Sequence, residues 1–219
     1  MGDGTKTSKD TPEQIFGLND IKQIDGGFAN SLALKNDGTV WEWGNGNGST
    51  SPEQVSSLNK IKWISAASST NFALKENGTV WTWGKRFDQN SENIITPIQI
   101  TQLENVKLIE SYGHHAFALK ENGKLWAWGQ NHGGVLGIGT TNDNFIPTQV
   151  QKLNNIVNIN TGYRQSFAED EEGNIWGWGA NWHGQLGIGY PTLIPIPCES
   201  HVQFKAKRYI FDVQTSYNH

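Results

Sequence analysis

The stretch Gly173-Asn174-Ile175-Trp176-Gly177-Trp178-Gly179 is one copy of a repeated pattern, Gly-x-(Val/Leu/Ile)-Trp-x-Trp-Gly. The pattern occurs four times, starting at Gly38, Gly78, Gly123 and Gly173, so the copies are 40, 45 and 50 residues apart. Eight of the ten tryptophans lie in these copies. Periods of this length are typical of repeat architectures, in which each repeat is one small supersecondary unit. The chain is therefore predicted to be one array of repeats.

Each repeat divides into four short apolar pieces separated by turn residues, as expected of a four-stranded antiparallel unit. In the first repeat the pieces are residues 12–15, 21–24, 31–35 and 39–43. The whole chain, 1–219, is predicted to be a single propeller-repeat domain. Its units are predicted to span about 12–51, 52–96, 97–146 and 147–196, with partial units at 1–11 and 197–219.

A glycine closes the linker between the third and fourth pieces of every repeat. The linkers are Asn36-Asp37-Gly38, Glu76-Asn77-Gly78, Glu121-Asn122-Gly123 and Glu171-Glu172-Gly173. In a hairpin built on a type I turn, the residue after the turn takes a positive φ, which glycine adopts without steric cost. The third and fourth pieces are therefore predicted to form a β-hairpin.

The two tryptophans of each copy point to the same face of their strand, because side chains alternate along a β-strand. One hypothesis for such a pair is an aromatic platform for a ligand. The alternative is that the tryptophans pack between neighbouring sheets as core. A feature that recurs in every unit normally serves the contact that every unit makes, so we favour packing between sheets for Trp176 and its equivalents.

A four-stranded sheet cannot bury both faces by itself, and radial stacking of such sheets protects them. The sequence thus predicts an all-β protein, a β-propeller of four-stranded antiparallel blades. Residues 128–139 and 178–189 also resemble the repeats of the regulator of chromosome condensation family, with the signature Trp-Gly-x-Asn-x-x-Gly-Gln-Leu-Gly-x-Gly. Val135 departs from the usual glutamine, and the segments after Trp43 and Trp83 lack Gly-Gln-Leu-Gly.

About four complete repeats are present, with partial units at both ends, whereas the resemblance implies a ring of seven blades. The array is therefore predicted to be a partial or open ring. Unpaired strand edges favour association. We expect edge-to-edge contact between chains or further blades in a longer chain.

Composition excludes several classes of protein. A formal net charge of −4 and the absence of a Lys/Arg run argue against a nucleic-acid partner, because phosphate neutralisation requires a concentrated basic face. No apolar run approaches the roughly 20 residues of a membrane span, and no signal peptide is visible. Cys198 is the only cysteine, so an internal disulfide framework is excluded and the compartment, cytoplasmic or secreted, stays open.

Catalytic and cofactor sites are not predicted. A nucleophile needs an adjacent base, and neither Cys198 nor His201 lies in such a context. His114-His115 lacks a third metal ligand at a useful spacing. The resemblance implies a structural role for His115, and His219 aligns with it. We expect no enzyme activity, no cofactor and no metal.

Two sets of loops vary between repeats and are the predicted partner-binding surface, because a scaffold changes its loops when it acquires a partner. The first set precedes the third piece of each repeat, and the second follows the tryptophans. Tyr, Trp and Arg dominate binding hot spots. The candidate residues are Phe28, His114, Tyr163 and Arg164 in the first set, and Arg86, Phe87 and Trp182 in the second.

The leading functional hypothesis is a non-enzymatic protein–protein interaction scaffold that uses these loops. Two alternatives follow from the resemblance: guanine-nucleotide exchange on a small GTPase, and inhibition of a secreted hydrolase such as a β-lactamase. A further possibility is glycan binding at Trp182. The sequence does not identify the partner.

Overall fold

The computed structural model describes residues 2–44, 47–85, 87, 93–188 and 193–199. These residues form sixteen β-strands and one short 3-10 helix, and the strands make four antiparallel sheets of four strands each. The predicted all-β architecture of four-stranded propeller blades is confirmed. The four blades make up a partial propeller.

The strands are numbered in chain order. Blade 1 comprises β1 (Ile21–Gly26), β2 (Asn30–Lys35), β3 (Val40–Gly44) and β4 (Glu53–Gln54). Blade 2 comprises β5 (Ile61–Ala66), β6 (Thr70–Lys75), β7 (Val80–Gly84) and β8 (Ile94–Gln99). Blade 3 comprises β9 (Val106–Tyr112), β10 (His115–Lys120), β11 (Leu125–Gly129) and β12 (Asn144–Gln149), with the 3-10 helix His132–Gly134 between the last two strands. Blade 4 comprises β13 (Ile156–Thr161), β14 (Gln165–Asp170), β15 (Ile175–Ala180) and β16 (Leu193–Glu199).

The blades are offset by one strand from the predicted repeat units. Each sheet takes its fourth strand from the segment that the sequence analysis placed at the start of the following unit, as when Gln54 of β4 pairs with Trp41 of β3. Residues 12–15, predicted as a first strand, form none. The free backbone edge of the tryptophan strand requires hydrogen-bond partners, and the next extended segment of the chain supplies them.

The first strands of neighbouring blades lie side by side. Gln23 of β1 exchanges hydrogen bonds with the backbone of Ile64 in β5, at 2.8 and 3.0 Å, and Ser65 of β5 bonds Ser111 of β9 at 2.7 Å. Within each sheet the order runs from the first strand to the fourth. The fourth strands therefore lie on the outer side of the arc.

The predicted hairpin turns are confirmed. Gly38, Gly78, Gly123 and Gly173 have φ values of 79, 80, 73 and 84°. The turn of one blade also contacts the next, because a Cβ at Gly38 would lie 3.2 Å from the backbone of Lys60. Glycine thus serves both the turn and the close approach of the blades.

In the second, third and fourth copies, the second tryptophan packs on the preceding blade. Trp83 lies in one core cluster with Leu32 and Leu34 of blade 1, and the ring of Trp178 meets that of Phe117 in blade 3 edge-on, 5.9 Å between centroids. Trp128 packs likewise on blade 2. The predicted packing between sheets is confirmed for these residues.

The face of blade 1 that carries Ile24, which we call the open face, has no blade against it among the described residues. Ile24 of β1 is 74% exposed, whereas its equivalents in blades 2 to 4, Ile64, Ile109 and Ile159, are at most 3% exposed. Burying an isoleucine normally stabilises a fold by about 1.5–3 kcal/mol. The predicted association through open ends of the array stays a prediction.

Candidate interaction site

The two sets of variable loops lie at the same end of the blades, which we call the loop end. The first strand–second strand loop and the loop after the third strand meet there because the second and third strands pair antiparallel, with Gln165 opposite Gly179 in blade 4. One backbone hydrogen bond of 2.8 Å joins the two loops in blades 2, 3 and 4. In blade 4 it runs from Ala180 N to Arg164 O.

The last glycine of each Trp-x-Trp-Gly copy makes this contact possible. At Gly179 the φ is +101°, and a Cβ would lie 2.3 Å from Arg164 O. Gly84 and Gly129 stand equally close to the carbonyls of Ser69 and His114. Only glycine tolerates both the positive φ and such an approach, so this residue fixes the position of the loop that it touches.

Tyr163, Arg164 and Trp182 form one group at the loop end, which we call the Arg164 cluster. The guanidinium of Arg164 lies over both rings, with its Cζ 4.9 Å from the centroid of Tyr163 and 5.2 Å from that of Trp182. The two rings are 47% and 48% exposed. Residues assigned from the sequence to two separate loop sets therefore share one surface.

The Arg164 side chain has hydrogen-bonding capacity left over. Its Nε is buried and has no hydrogen-bond partner, and the ion pairs among the described residues involve only Lys9 and Lys62 as cations. A guanidinium is weakly hydrated and stacks well on aromatic rings, which explains how it is held without a carboxylate. Its terminal N–H groups form no ion pair among the described residues, and such groups are suited to a bond with a carboxylate or a phosphate.

A buried polar network supports the loop that carries Tyr163 and Arg164. His115 of blade 3 is bonded through Nε2 to Thr161 Oγ1 of blade 4 at 2.7 Å. Thr161 Oγ1 is also 3.0 Å from Ser166 Oγ, which donates to Val135 O. Thr161 and Ser166 flank the loop on either side, so the network fixes both of its ends to blade 3.

Burial, with smaller contributions from the neighbouring His114 and His132, lowers the pKa of His115 to about 3. The imidazole is therefore neutral at physiological pH, as a fully enclosed ring bonded to a hydroxyl requires. The structural role predicted for His115 is confirmed. His219, which was expected to match it, lies outside the described residues.

The other described candidate residues belong to blades 1 to 3, whereas the Arg164 cluster belongs to blade 4. Phe87 is only 6% exposed and packs 5.7 Å from the ring of Phe72, so its expected role as a surface anchor is wrong and its role is packing. His114 is half-buried and meets Phe87 edge-on at 6.5 Å, and burial lowers its pKa. Phe28 is exposed on blade 1, and Arg86 lies outside the described residues.

Sequence reasoning missed two residues of this site, Thr161 and Gly179. The hairpin register could have found their neighbourhood, because a turn at 171–174 places residue 165 opposite residue 179 and brings the flanking loops together. Among the described residues, no group of three or more His, Cys, Asp or Glu side chains could hold a metal ion. Nor does that part of the chain contain a helix long and apolar enough to cross a membrane.

Solved structures with the same fold include three at a TM-score of 0.72. Human WBSCR16 is 20% identical, and the match covers 83% of this chain and 53% of that one. Yeast RCC1 (Prp20), bound to Kap60, is 21% identical over 82% of this chain and 48% of its own. A structure of Prp20p from Saccharomyces cerevisiae, described with its binding to Gsp1p and histones, is 20% identical over 82% of this chain and 50% of its own.

The chain thus spans about half the length of these proteins. No curated protein matches it by sequence. The family model described as "Regulator of chromosome condensation (RCC1) repeat" matches residues 122–168 and 172–219, and a second model of the same repeat matches residues 106–134. Together these matches cover just over half of the chain. From its repeats and its blades, the chain belongs to the RCC1 repeat family.

Proposed function

We propose that this chain is a non-enzymatic protein-interaction module, and that its loop end binds a protein partner through the Arg164 cluster. The observation that carries the proposal is a guanidinium held between two half-exposed aromatic rings, 4.9 and 5.2 Å away, with its Nε unpartnered. Arg, Tyr and Trp are the residue types that dominate binding hot spots.

Preorganisation supports this surface as a binding site. The loop that carries Tyr163 and Arg164 is fixed by the Ala180 N to Arg164 O bond and by the buried bonds of Thr161 and Ser166. A partner therefore does not have to order it, and such ordering otherwise costs about 0.5–1.5 kcal/mol per mobile side chain.

The partner of this surface presents a carboxylate to Arg164. An acidic side chain would accept hydrogen bonds from the guanidinium, while the rings of Tyr163 and Trp182 exclude water around the ion pair. A partner's phosphate group would be chemically similar, but the chain's net charge of −4 disfavours a strongly anionic partner such as nucleic acid.

Partner capture followed by affinity measurement tests the proposal. The purified chain serves as bait in an extract of its source cells, and the captured protein is purified and titrated by calorimetry. We expect Arg164→Ala and Trp182→Ala each to weaken binding by about 30-fold or more, equivalent to about 2 kcal/mol. Phe16→Ala is the matched control, because Phe16 is an exposed aromatic residue that precedes blade 1, whereas the Arg164 cluster belongs to blade 4. A Tyr163/Arg164/Trp182 triple alanine variant that binds like the wild type would refute the proposed surface.

A narrower version of the same proposal is regulation of a small GTPase. It is supported only by likeness of fold, since the Prp20p structure is described with its binding to Gsp1p and is 20% identical. A nucleotide-release assay tests it: catalytic amounts of the chain should accelerate release from the cognate GTPase, and an unchanged rate would leave only the general interaction role. Inhibition of a secreted hydrolase and glycan binding at Trp182 have no further support among the described residues.

A further inference from the structure

A buried acid lies between blades 1 and 2. Glu42, in the middle of β3, is only 4% exposed, and the other three blades have no acid at this position. Its Oε2 accepts a hydrogen bond of 2.8 Å from Trp83 Nε1 of blade 2. Its Oε1 accepts one of 2.7 Å from Asn71 Nδ2 of the same blade. The carboxyl group of Glu42 therefore joins the two blades.

Blades 3 and 4 make the corresponding contact without an acid. Trp178 Nε1 donates to Val135 O at 2.7 Å, and Ser166 Oγ donates to the same oxygen at 3.0 Å. Ser166 holds the position in β14 that Asn71 holds in β6. Val135 lies in the loop after β11, which is longer than the loop after β3. Two donors of one blade thus converge on one group of the preceding blade, and in blade 1 that group can titrate.

Glu42 has no cation beside it. None of the ion pairs among the described residues includes it, and its cross-strand partner in β4 is another acid, Glu53. The other strands around it, β2, β6 and β7, present the neutral Leu32, Asn71 and Trp83. Burial raises the pKa of Glu42 and the charge of Glu53 raises it further, while the hydrogen bonds from Trp83 and Asn71 act against this rise. Such surroundings favour a neutral carboxyl group.

Two buried amides extend this contact. Asn30 of β2 and Asn71 are 3% and 0% exposed, and Asn30 Nδ2 donates to Asn71 Oδ1. In this arrangement the side-chain oxygen of Asn30 faces the carbonyls of Ala67 and Ser68 in the β5–β6 loop. Three acceptors then meet without a hydrogen to share, which is costly for buried groups.

Turning both amides removes this conflict. The Asn30 nitrogen then donates to Ser68 O at 2.9 Å and to Ala67 O at 3.3 Å, and the Asn30 oxygen faces Asn71. Asn71 has to turn as well, so that its nitrogen donates to Asn30 and its oxygen lies beside Glu42 Oε1, at the 2.7 Å of the present contact. Two oxygens at this distance need a proton between them, and a protonated Glu42 supplies it.

We propose that Glu42, Asn71 and Asn30 form a proton-controlled switch that acts on the β5–β6 loop. With Glu42 protonated, its O–H donates to Asn71, Asn71 donates to Asn30, and Asn30 donates to the carbonyls of Ala67 and Ser68. When the proton leaves, the direction of donation reverses and the two carbonyls lose these hydrogen bonds. The proposal goes beyond the loop-end function of blade 4, because the switch shares no residue with the Arg164 cluster.

The pH dependence follows from the direction of the Glu42 pKa shift. Because the folded chain raises this pKa above its ordinary value of 4.5, the stabilisation by the protonated arrangement is complete below pH 4.5 and is lost as the pH rises through the folded value. His115 acts in the opposite direction, since the folded chain lowers its pKa. The switch is therefore measured locally and not by global unfolding.

An NMR titration of the full chain, labelled with ¹³C and ¹⁵N, between about pH 4 and about pH 8 tests the switch. We expect the carboxyl carbon of Glu42 to titrate with a midpoint above 4.5, and the side-chain amide resonances of Asn30 and Asn71 to shift with the same midpoint. The backbone amide of Ser69, which shares a peptide group with Ser68 O, should shift with them. Side-chain amides that stay unmoved while Glu42 titrates would overturn the proposal, and so would a Glu42 midpoint at or below 4.5.

Two variants of one cross-strand pair make the titration specific. Glu42→Gln carries a neutral amide that can donate to Asn71 and accept from Trp83, so the pH-dependent shifts of the two asparagines should disappear. Glu53→Gln is the matched control, because it removes only the like charge from β4. It should lower the midpoint and keep the coupled shifts. Shifts that persist with the wild-type midpoint in Glu42→Gln would overturn the proposal, because another group would then control the amides.

Discussion

Replacing Gly179 by alanine tests whether the close approach of Gly179 to Arg164 O positions the Arg164 cluster, beyond the strain that alanine meets at a positive φ. Gly179 has a φ of +101°, and an added Cβ would lie 2.3 Å from Arg164 O and 3.0 Å from Gln165 Cα. Both neighbours are backbone atoms in a paired strand and its adjoining loop. A side-chain rotation therefore cannot relieve the clash, and the loop itself must move.

The expected loss has three contributions. A non-glycine residue at positive φ costs about 1–2 kcal/mol, and forcing a methyl group into closed space costs about 1–3 kcal/mol. Displacing the loop also weakens the 2.8 Å bond from Ala180 N to Arg164 O, which is worth about 1 kcal/mol. Together these give a loss of about 3–6 kcal/mol in the free energy of unfolding.

Gly173→Ala is the matched control, because Gly173 has a φ of +84° but no atom within 4 Å of an added Cβ. It should lose only the strain contribution, about 1–2 kcal/mol. Equilibrium urea unfolding of both variants measures the difference, and the indole resonance of Trp182 reports whether the loop has moved. Equal losses for the two variants, with an unmoved Trp182 resonance, would refute the positioning role of Gly179.

Three further predictions follow from burial and charge. His115 is held neutral in the folded chain with a pKa of about 3, so between pH 6.5 and pH 3 its imidazole binds a proton only in the unfolded chain. The free energy of unfolding should therefore fall by about 2 kcal/mol between pH 7 and pH 5. Urea titrations should show a smaller fall in His115→Gln, and an equal fall would contradict the neutral, buried state of His115. Trp178→Ala should lower the free energy of unfolding by about 3–5 kcal/mol. Trp182 is half-exposed at the loop end, so Trp182→Ala should lower it by less than about 1 kcal/mol. Similar losses for the two variants in chemical unfolding would count against the division between packing and surface tryptophans. Ile24→Asp places a charge on the exposed apolar face of blade 1, so it should reduce self-association measured by sedimentation at micromolar concentration. A wild-type chain that sediments as a monomer would contradict association through this face.

The repeat, the strand hairpins and the packing of the second tryptophans could be predicted from the sequence because each depends on local pattern. A glycine after a turn and a tryptophan pair at alternate positions have the same physical meaning in every repeat. The blade boundaries could not be read so easily. Residues 53–54 begin a repeat in the sequence, yet they close the preceding sheet, and only the hydrogen-bond requirement of the β3 edge explains this pairing.

The candidate site was predicted in its parts but not in its arrangement. Tyr163, Arg164 and Trp182 were all predicted to be partner-binding residues, but their grouping depends on the β14–β15 register and on the close approach at Gly179. The burial of Phe87 depends on a tertiary contact, because it fills part of the space that the longer loop of blade 3 fills with Val135 and Leu136. Such substitution of one packing residue for another leaves no local signal.

The affinity of an Arg164→Lys variant for the captured partner tests whether the stacked guanidinium recognises that partner. Lysine keeps the positive charge but loses the planar, bidentate group that stacks between Tyr163 and Trp182. We expect Arg164→Lys to weaken binding by at least about 10-fold, equivalent to about 1.4 kcal/mol, while Phe16→Ala stays within about twofold of the wild type. An Arg164→Lys variant that binds as tightly as the wild type would contradict recognition by the stacked guanidinium.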